Sequence, residues 1–290
     1  MYKLIAVDLD GTLLNSYGEV SIRNREAIKK AMSNGIEVVL ASGRPMESIK
    51  SISLDIEASK YIICGNGAVV YDIKDNQTIY ENYLDKDKVL KIVKICEENS
   101  IYCSVYTEKT IIAKTLNYNV LYYNHENAKK EESKRTHINI VENMYKYIES
   151  IDTNKFSKIT ICDNDEIIFS RILQKIKKLK KIDVLDVEHM SRKVIKDGTE
   201  LVNIEYFYTE ISNQNVNKWY AIQNLIDKLA IEEDEIIAIG DNKNDEMMVK
   251  NSGLGIAMGN SYLSNKNIGN MIVSDNDKDG VAEAIEEIIK

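Results

Sequence analysis

Two carboxylates, Asp8 and Asp10, lie two residues apart near the start of this 290-residue chain and are followed by Gly11 and Thr12. The apolar run 4–7 before them predicts a buried strand, and residues two apart in extended backbone project to the same side. One carboxylate can then stay ionised as nucleophile or metal ligand, while the other, its pKa raised by its neighbour, acts as acid and base. The alternative is an acidic loop that caps a helix or is solvated.

A second cluster, Gly240-Asp241-Asn242-Lys243-Asn244-Asp245, follows another predicted buried strand over 236–239. If the two strands are neighbours, both clusters lie at the same sheet edge, where α/β folds bind ligands. Carboxylate oxygens in this number suit Mg²⁺, which prefers carboxylates, carbonyls, waters and substrate phosphate. The cluster is equally consistent with a helix N-terminus capped by Asn244 or Asp245, and capping is compatible with a metal site.

Phosphate beside so many carboxylates needs hydrogen-bond donors and positive charge. Ser42 and the amide of Gly43 follow a predicted strand over 36–40, just before a helix that begins near Pro45, and are placed to donate to phosphate. Lys218, at the start of a helix predicted over 217–229, can supply the charge. Each signal alone is weak, because a Ser-Gly pair is usually a turn and a lysine usually lies on a solvated face.

The elements that position these residues alternate as strand, helix, strand, helix, strand, which predicts an α/β fold with a doubly wound parallel sheet. Ser21 is the predicted N-cap of the first helix, and Gly35 its left-handed stop. A hairpin is predicted from 69–71 to 78–80. From about residue 82 the pattern becomes mixed α+β. We therefore predict a core domain over 1–82 and 193–290, with an inserted domain over 83–192.

Composition excludes several classes of protein. The formal charge is 38 − 46 = −8, so no basic footprint indicates a nucleic-acid or anionic-membrane partner. No signal peptide or membrane span is recognisable, which predicts a cytoplasmic protein. The cysteine and histidine spacings fit neither a zinc site nor a disulfide framework, which favours reduced structural thiols. These residues are Cys64, Cys96, Cys103, Cys162, His125, His137 and His189.

Taken in order, the motifs resemble those of the haloacid dehalogenase-like hydrolases, specifically the Cof-type phosphatases with a large inserted α+β cap. The resemblance covers the whole chain. It is carried by the segments 8–14, Ala41-Ser42-Gly43-Arg44, Gly65-Asn66-Gly67-Ala68, 240–248 and 253–260.

The resemblance implies roles for the acidic residues. Asp8 would be the nucleophile that forms an aspartyl-phosphate and also a Mg²⁺ ligand. Asp10 would protonate the leaving alcohol, activate water and lend its backbone carbonyl to the metal. Asp241 would complete the protein's metal ligands, and Asp245 would orient water at the metal. Covalent capture of this kind divides the hydrolysis of a phosphate ester into two steps.

The resemblance also implies a phosphate site and a substrate class. Phosphate would be held by Thr12, Ser42, Gly43, Lys218 and Asn244. Candidates facing the substrate and the cap are Arg44 and Asn66. The implied substrate is a small phosphorylated metabolite, most commonly a sugar phosphate, and the oligomeric state is not predicted.

One residue departs from the family pattern. Family members usually have a small residue after the motif lysine, whereas Trp219 follows Lys218 here. Trp219 could reshape the pocket or mark reduced activity. Two alternatives therefore stay open: a non-catalytic sensor of phosphorylated ligands on the same fold, and a phosphomutase that returns the phosphoryl group to a sugar.

Overall fold

The computed structural model describes residues 1–132, 135–185, 191–197, 200–261 and 267–289. The chain divides into two compact units. The first combines Met1–Glu81 with Val216–Lys290, and the second is Asn82–Asn215.

The N-terminal part of the first unit follows the predicted alternation. Ser21 caps the first helix by accepting a hydrogen bond from the Asn24 amide (3.1 Å), and Gly35 follows that helix with φ +79°. The elements are β1 (Leu4–Val7), α1 (Ile22–Ser33), β2 (Glu37–Ala41), α2 (Met46–Asp55), β3 (Tyr61–Cys64), β4 (Val69–Asp72) and β5 (Gln77–Glu81). The predicted hairpin is confirmed, because β4 and β5 are antiparallel neighbours.

The second unit is the predicted mixed α+β segment. Its elements are α3 (Lys86–Glu98), β6 (Tyr102–Thr107), β7 (Thr110–Ala113), α4 (Tyr118–Ala128), β8 (His137–Ile140), α5 (Met144–Ser150), β9 (Phe156–Asp163), α6 (Glu166–Ile176), β10 (Ile182–Val184), β11 (Ser191–Asp197) and β12 (Glu200–Asn213). The strands form a sheet in the order β10-β12-β9-β6-β7-β8, with β11 paired to β12.

One predicted boundary needs correction. The sequence pattern predicts that the core domain resumes at residue 193, but the first unit resumes only at Val216. The reason is β12, which lies antiparallel to β9 and β10 inside the second sheet. A strand's apolar pattern does not reveal which sheet it joins, and residues 193–215 belong to the second unit rather than to the predicted core domain.

The rest of the first unit completes its sheet. Its elements are α7 (Lys218–Leu229), β13 (Ile236–Gly240), α8 (Glu246–Asn251), β14 (Leu254–Ala257), β15 (Met271–Ile272) and α9 (Gly280–Ile288). The strand order is β15-β14-β13-β1-β2-β3-β4-β5, and the six strands from β15 to β3 run parallel. The prediction of an α/β fold built on a parallel sheet is therefore confirmed.

Both faces of the central strand β1 are buried. Leu4 and Ala6 belong to an apolar cluster with Trp219 and other residues of α7 and α8. Ile5 and Val7 project to the opposite face because side chains alternate along a strand, and they too are fully buried. Burial on both faces is the pattern expected of a doubly wound sheet. Among the described residues, no helix combines the length and the apolar character that a membrane crossing requires.

Candidate active site

The site lies at the carboxyl edge of the first unit's sheet. β1 has β13 on one side and β2 on the other, all parallel, with Val7 opposite Ile239 and Leu40. The residues that follow these strands therefore leave the sheet at one edge, as the sequence predicts. Asp8 follows β1, Asp241 follows β13 and Ser42 follows β2, and all three are buried.

Lys218 joins two of the carboxylates. It is the first residue of α7, whose N-cap Asn217 accepts a hydrogen bond from the amide of Tyr220 (2.9 Å). Its ammonium group donates to Oδ1 of Asp8 and to Oδ1 of Asp245, the latter at 2.5 Å. The Lys218 side chain is completely buried, so its charge is balanced by these carboxylates alone rather than by water. A lysine on a solvated face is therefore excluded.

Asp245 also shapes the loop after β13. Its Oδ2 accepts from the backbone amides of Asp241 (3.1 Å) and Asn242 (3.0 Å). Gly240 is required beside it, because a Cβ there would lie 2.5 Å from Cβ of Asp245. One carboxylate oxygen of Asp245 thus holds the loop, and the other binds Lys218. Asp245 therefore accepts from loop amides, as a capping residue does, and is also part of the buried charged group.

The loop after β1 reaches the same carboxylates. Gly11 has φ +84°, which favours glycine, and a Cβ there would lie 2.5 Å from Oδ2 of Asp241. The hydroxyl of Thr12, fully buried, donates to Oδ1 of Asp241 at 3.1 Å. The hydroxyl of Thr12 thus fixes the orientation of a carboxylate, and the binding of phosphate by Thr12 stays a prediction.

Asp10 and Arg44 form a pair that the sequence did not predict. Nε and Nη2 of Arg44 donate to the two carboxylate oxygens of Asp10, at 2.8 and 2.6 Å. Arg44 was predicted to face the substrate, but it is only 2% exposed, whereas the Asp10 side chain is 49% exposed. Two parallel charge-assisted hydrogen bonds favour this buried position for the guanidinium group, and contact between Arg44 and the substrate stays a prediction.

The remaining phosphate candidates meet in a second group of loops. Ser42 accepts from the Arg44 amide through its hydroxyl (3.3 Å) and from the Asn66 amide through its carbonyl (3.0 Å). Asn66, at φ +59°, accepts a hydrogen bond from the side-chain amide of Asn244 (3.1 Å). Gly43 lies between Ser42 and Arg44 and is half-buried. The loops after β2, β3 and β13 are therefore joined to one another.

Burial and mutual repulsion raise the pKa values of two carboxyl groups, Asp8 and Asp241. Burial, followed by the charge of Asp245, raises the pKa of Asp8 from 3.8 to about 7, although Lys218 opposes the shift. Burial and the charge of Asp8 likewise raise the pKa of Asp241. The charge of Asp10 also raises the pKa of Asp8 and is the smallest of the causes that act on it. Burial by itself lowers the pKa of Lys218. The charges and hydrogen bonds of Asp245 and Asp8 together outweigh burial and raise this pKa above its ordinary value.

The donor set fits a divalent cation. Among the described residues, one group of carboxylates has ligand oxygens within 4.8 Å of one another, namely Asp8, Asp241 and Asp245. Three buried carboxylates can carry more negative charge than the single positive charge of Lys218 offsets. Mg²⁺ prefers hard oxygen donors such as these. The carboxylate of Asp10, bound by Arg44, is outside this group. So are His125 and His137, and His189 lies outside the described residues.

Trp219 does not line the site. It is 3% exposed and packs in the apolar cluster beneath the sheet, with Leu4, Ala6 and Val39. Lys218 and Trp219 are consecutive in α7, so their side chains project in different directions from the helix. The departure from the family pattern is therefore a core substitution, which removes the main feature in favour of a non-catalytic sensor.

Three residues that contact the loop after β1 were not among the functional candidates predicted from the sequence. Asn260 donates to the carbonyl of Gly11, Asn276 donates to the carbonyl of Leu14, and Asp277 accepts from Ser16. Asn260 stands in a motif that the sequence had singled out, but the motif carried no indication of its contact. Asn276 and Asp277 had no such signal.

A protein family and several known proteins are similar to this chain. A family model described as haloacid dehalogenase-like hydrolase matches residues 5–285. The phosphatase YwpJ of Bacillus subtilis is 29% identical over 297 residues, covering 99% of this chain and 100% of the relative. The 5-amino-6-(5-phospho-D-ribitylamino)uracil phosphatase YcsE of the same organism is 26% identical over 283 residues, covering 98% of this chain and 94% of the relative.

A solved structure has the same fold. The crystal structure of a haloacid dehalogenase-like hydrolase from Bacteroides thetaiotaomicron superposes with a TM-score of 0.80 at 29% identity. The match covers 99% of this chain and 100% of the other. The similarity therefore includes both compact units of the chain.

Proposed function

The chain belongs to the haloacid dehalogenase-like hydrolase family and is a Cof-type phosphatase, and we propose that it hydrolyses a small phosphorylated metabolite by a Mg²⁺-dependent route through an aspartyl-phosphate. The observation that carries the proposal is the buried group of Asp8, Asp241, Asp245 and Lys218 at the carboxyl edge of the parallel sheet. Phosphoryl transfer depends mainly on positioning and charge neutralisation, which this group supplies.

In the first step, a carboxylate oxygen of Asp8 attacks phosphorus. The bond from phosphorus to the leaving oxygen breaks, and Asp10 gives a proton to that oxygen. Lys218, which contacts Asp8, offsets negative charge on the phosphoryl group as it approaches. The product alcohol leaves, and the phosphoryl group stays on Asp8.

In the second step, Asp10 takes a proton from water, and the water oxygen attacks phosphorus. The bond from phosphorus to Asp8 breaks, which releases inorganic phosphate and regenerates the carboxylate. Arg44 holds both oxygens of Asp10, so it fixes the side chain that carries the proton in each step. Ser42, Gly43 and Asn244 are the proposed donors to the phosphate.

Mg²⁺ would be held by the carboxylates of Asp8 and Asp241 and by the carbonyl of Asp10. When bound, it neutralises and orients the phosphoryl group. Asp245 contacts Lys218 and the amides of the 241–242 loop, so its proposed part is to hold these groups in place. The orientation of water at the metal by Asp245 stays a prediction.

We propose a sugar phosphate or a similar polyhydroxylated phosphate ester as the substrate class. The support is the relative YcsE, whose named substrate carries a phosphorylated ribityl group. A panel of phosphorylated sugars and sugar alcohols, assayed by release of inorganic phosphate, tests this class. Hydrolysis confined to phosphorylated proteins or nucleotides would contradict it.

The first experiment is hydrolysis of p-nitrophenyl phosphate by the purified protein with Mg²⁺, with EDTA, and by Asp8→Asn. We expect turnover that requires Mg²⁺ and falls by at least about a thousandfold in the variant, because its amide cannot act as the nucleophile. Folding of the variant is checked by circular dichroism. Full activity of folded Asp8→Asn would overturn the proposed mechanism.

A further inference from the structure

The loop after β1 is held by side chains from the far end of the chain. Nδ2 of Asn260 donates to the carbonyl oxygen of Gly11 at 2.8 Å, across 249 positions of sequence. Nδ2 of Asn276 donates to the carbonyl oxygen of Leu14, also at 2.8 Å. Both amides therefore bind backbone groups of the loop that carries Asp8 and Asp10.

These contacts form one connected set. The backbone amide of Asn276 donates to Oδ1 of Asn260 at 3.3 Å, so this contact helps to orient the side chain of Asn260. Asp277 accepts from the amide (2.7 Å) and the hydroxyl (2.6 Å) of Ser16, at the end of the same loop. The loop is thus fixed at three successive points by residues that the proposed reaction does not use.

The contact at Gly11 has the most direct link to the site. Its carbonyl belongs to the peptide group that joins Gly11 to Thr12, and the Thr12 hydroxyl donates to Asp241 at 3.1 Å. Gly11 has φ +84° and no Cβ, so its own conformation does little to fix this peptide. The Thr12 amide of this peptide donates to the Leu9 carbonyl at 3.3 Å, and the shorter hydrogen bond from Asn260 restrains the carbonyl side of the same peptide.

We propose that Asn260 is a positioning residue, which holds the peptide between Gly11 and Thr12 so that Thr12 reaches Asp241. The inference rests on the proposed function, because Asp241 is a proposed ligand of Mg²⁺. Asn260 touches neither the nucleophile nor the proposed phosphate donors in the described contacts. Its effect is transmitted through Thr12.

Two variants separate the hydrogen bond from other effects. Asn260→Asp has nearly the same shape but cannot donate when ionised, and Asn260→Ala removes the donor without adding charge. The matched control is Asn34→Asp, since Nδ2 of Asn34 donates to the Lys30 carbonyl at 2.8 Å at the exposed end of α1. The control hydrogen bond, like that of Asn260, joins one side-chain amide to one backbone carbonyl.

The readouts are kcat and KM for p-nitrophenyl phosphate, Mg²⁺ affinity by titration calorimetry, and Tm. We expect both Asn260 variants to lower kcat roughly 10- to 100-fold, as small displacements near a reacting centre do, with KM within about threefold. We expect the Mg²⁺ dissociation constant to rise about threefold or more, equivalent to the loss of part of a hydrogen bond's net free energy. Asn34→Asp should leave kcat and the dissociation constant unchanged.

A purely structural role gives a different result. In that case the Asn260 variants lower Tm but keep the wild-type kcat and Mg²⁺ affinity, which would overturn the inference. If the wild type binds Mg²⁺ but does not turn over, the proposed function fails, and the change in Mg²⁺ affinity alone decides the role of Asn260. If the wild type does not bind Mg²⁺, both proposals are overturned.

Discussion

The ammonium group of Lys218 lies 2.5 Å from Oδ1 of Asp245, and both side chains are completely buried. The same ammonium donates to Asp8. One lysine therefore forms ion pairs with two buried carboxylates at once. Its removal would leave carboxylate charge inside the protein without a partner, which costs much more than the loss of a surface ion pair.

Lys218→Met tests this relationship through stability. We expect the free energy of unfolding at neutral pH to fall by about 3–5 kcal/mol, and added Mg²⁺ to restore part of the loss. Lys3→Met is the control, because Lys3 pairs with Glu235 at 2.7 Å but is half exposed, and its loss should cost less than about 1 kcal/mol. Denaturant unfolding measures both. Equal effects of the two substitutions would contradict the prediction.

The raised pKa of Asp8 predicts how stability and Mg²⁺ binding depend on pH. Because the pKa rises from 3.8 to about 7 on folding, the folded protein keeps a proton that the unfolded chain releases between these values. The metal-free protein should therefore lose stability as pH rises through this window. Mg²⁺ competes with that proton, so the Tm increase on adding Mg²⁺ should be larger at about pH 8 than at about pH 5.5.

Thermal unfolding with EDTA and with Mg²⁺ across that pH range measures the effect. Asp8→Asn is the control, since it has no carboxyl group to titrate at this position. A Tm increase on adding Mg²⁺ that is the same at both pH values would contradict the assignment of Asp8 as a ligand with a raised pKa.

Two glycines with similar backbone conformations predict different costs of substitution. Gly11 (φ +84°) and Gly35 (φ +79°) both pay about 1–2 kcal/mol of strain when changed to alanine. A Cβ at Gly35 has no atom within 4 Å, whereas one at Gly11 lies 2.5 Å from Oδ2 of Asp241. Gly11→Ala should also lower kcat by roughly 10- to 100-fold, and Gly35→Ala should not. An unchanged kcat in folded Gly11→Ala would contradict the prediction that a Cβ at this position disturbs Asp241.

Arg44 is expected to be sensitive to a conservative change. Lysine cannot reproduce the two parallel hydrogen bonds that Arg44 makes to Asp10, so Arg44→Lys should lower kcat about tenfold or more. Arg25→Lys is the control, because Arg25 also contacts one acidic residue, Asp55, at the surface. Steady-state kinetics with p-nitrophenyl phosphate compare the two. Similar kcat values would show that Asp10 does not need a bidentate partner.

Trp219 is expected to matter for stability and not for chemistry. It is 3% exposed within the apolar cluster of the first unit, so Trp219→Ala should cost about 3–5 kcal/mol. Trp219→Phe should cost less because most of the apolar volume remains. Circular dichroism follows unfolding, and kcat is measured well below Tm. A large fall in kcat of folded Trp219→Phe would instead support a direct role beside Lys218.

The sequence by itself determined the elements and most of the candidate site. Apolar runs mark β1, β2 and β13, and the acidic and Ser-Gly segments that follow them predict one sheet edge. Ser21 predicts a helix start because a cap acts on amides within three residues. These signals are local, so neighbouring residues suffice to read them.

Only the tertiary structure decided the pairings between distant side chains. The contacts of Arg44 with Asp10 and of Asn260 with Gly11 depend on which loops meet after the sheet assembles. The assignment of β12 to the second sheet depends in the same way on its partner β9. Hydrogen-bond partners far apart in sequence leave no periodic pattern, because their proximity comes from strand order rather than from neighbouring residues.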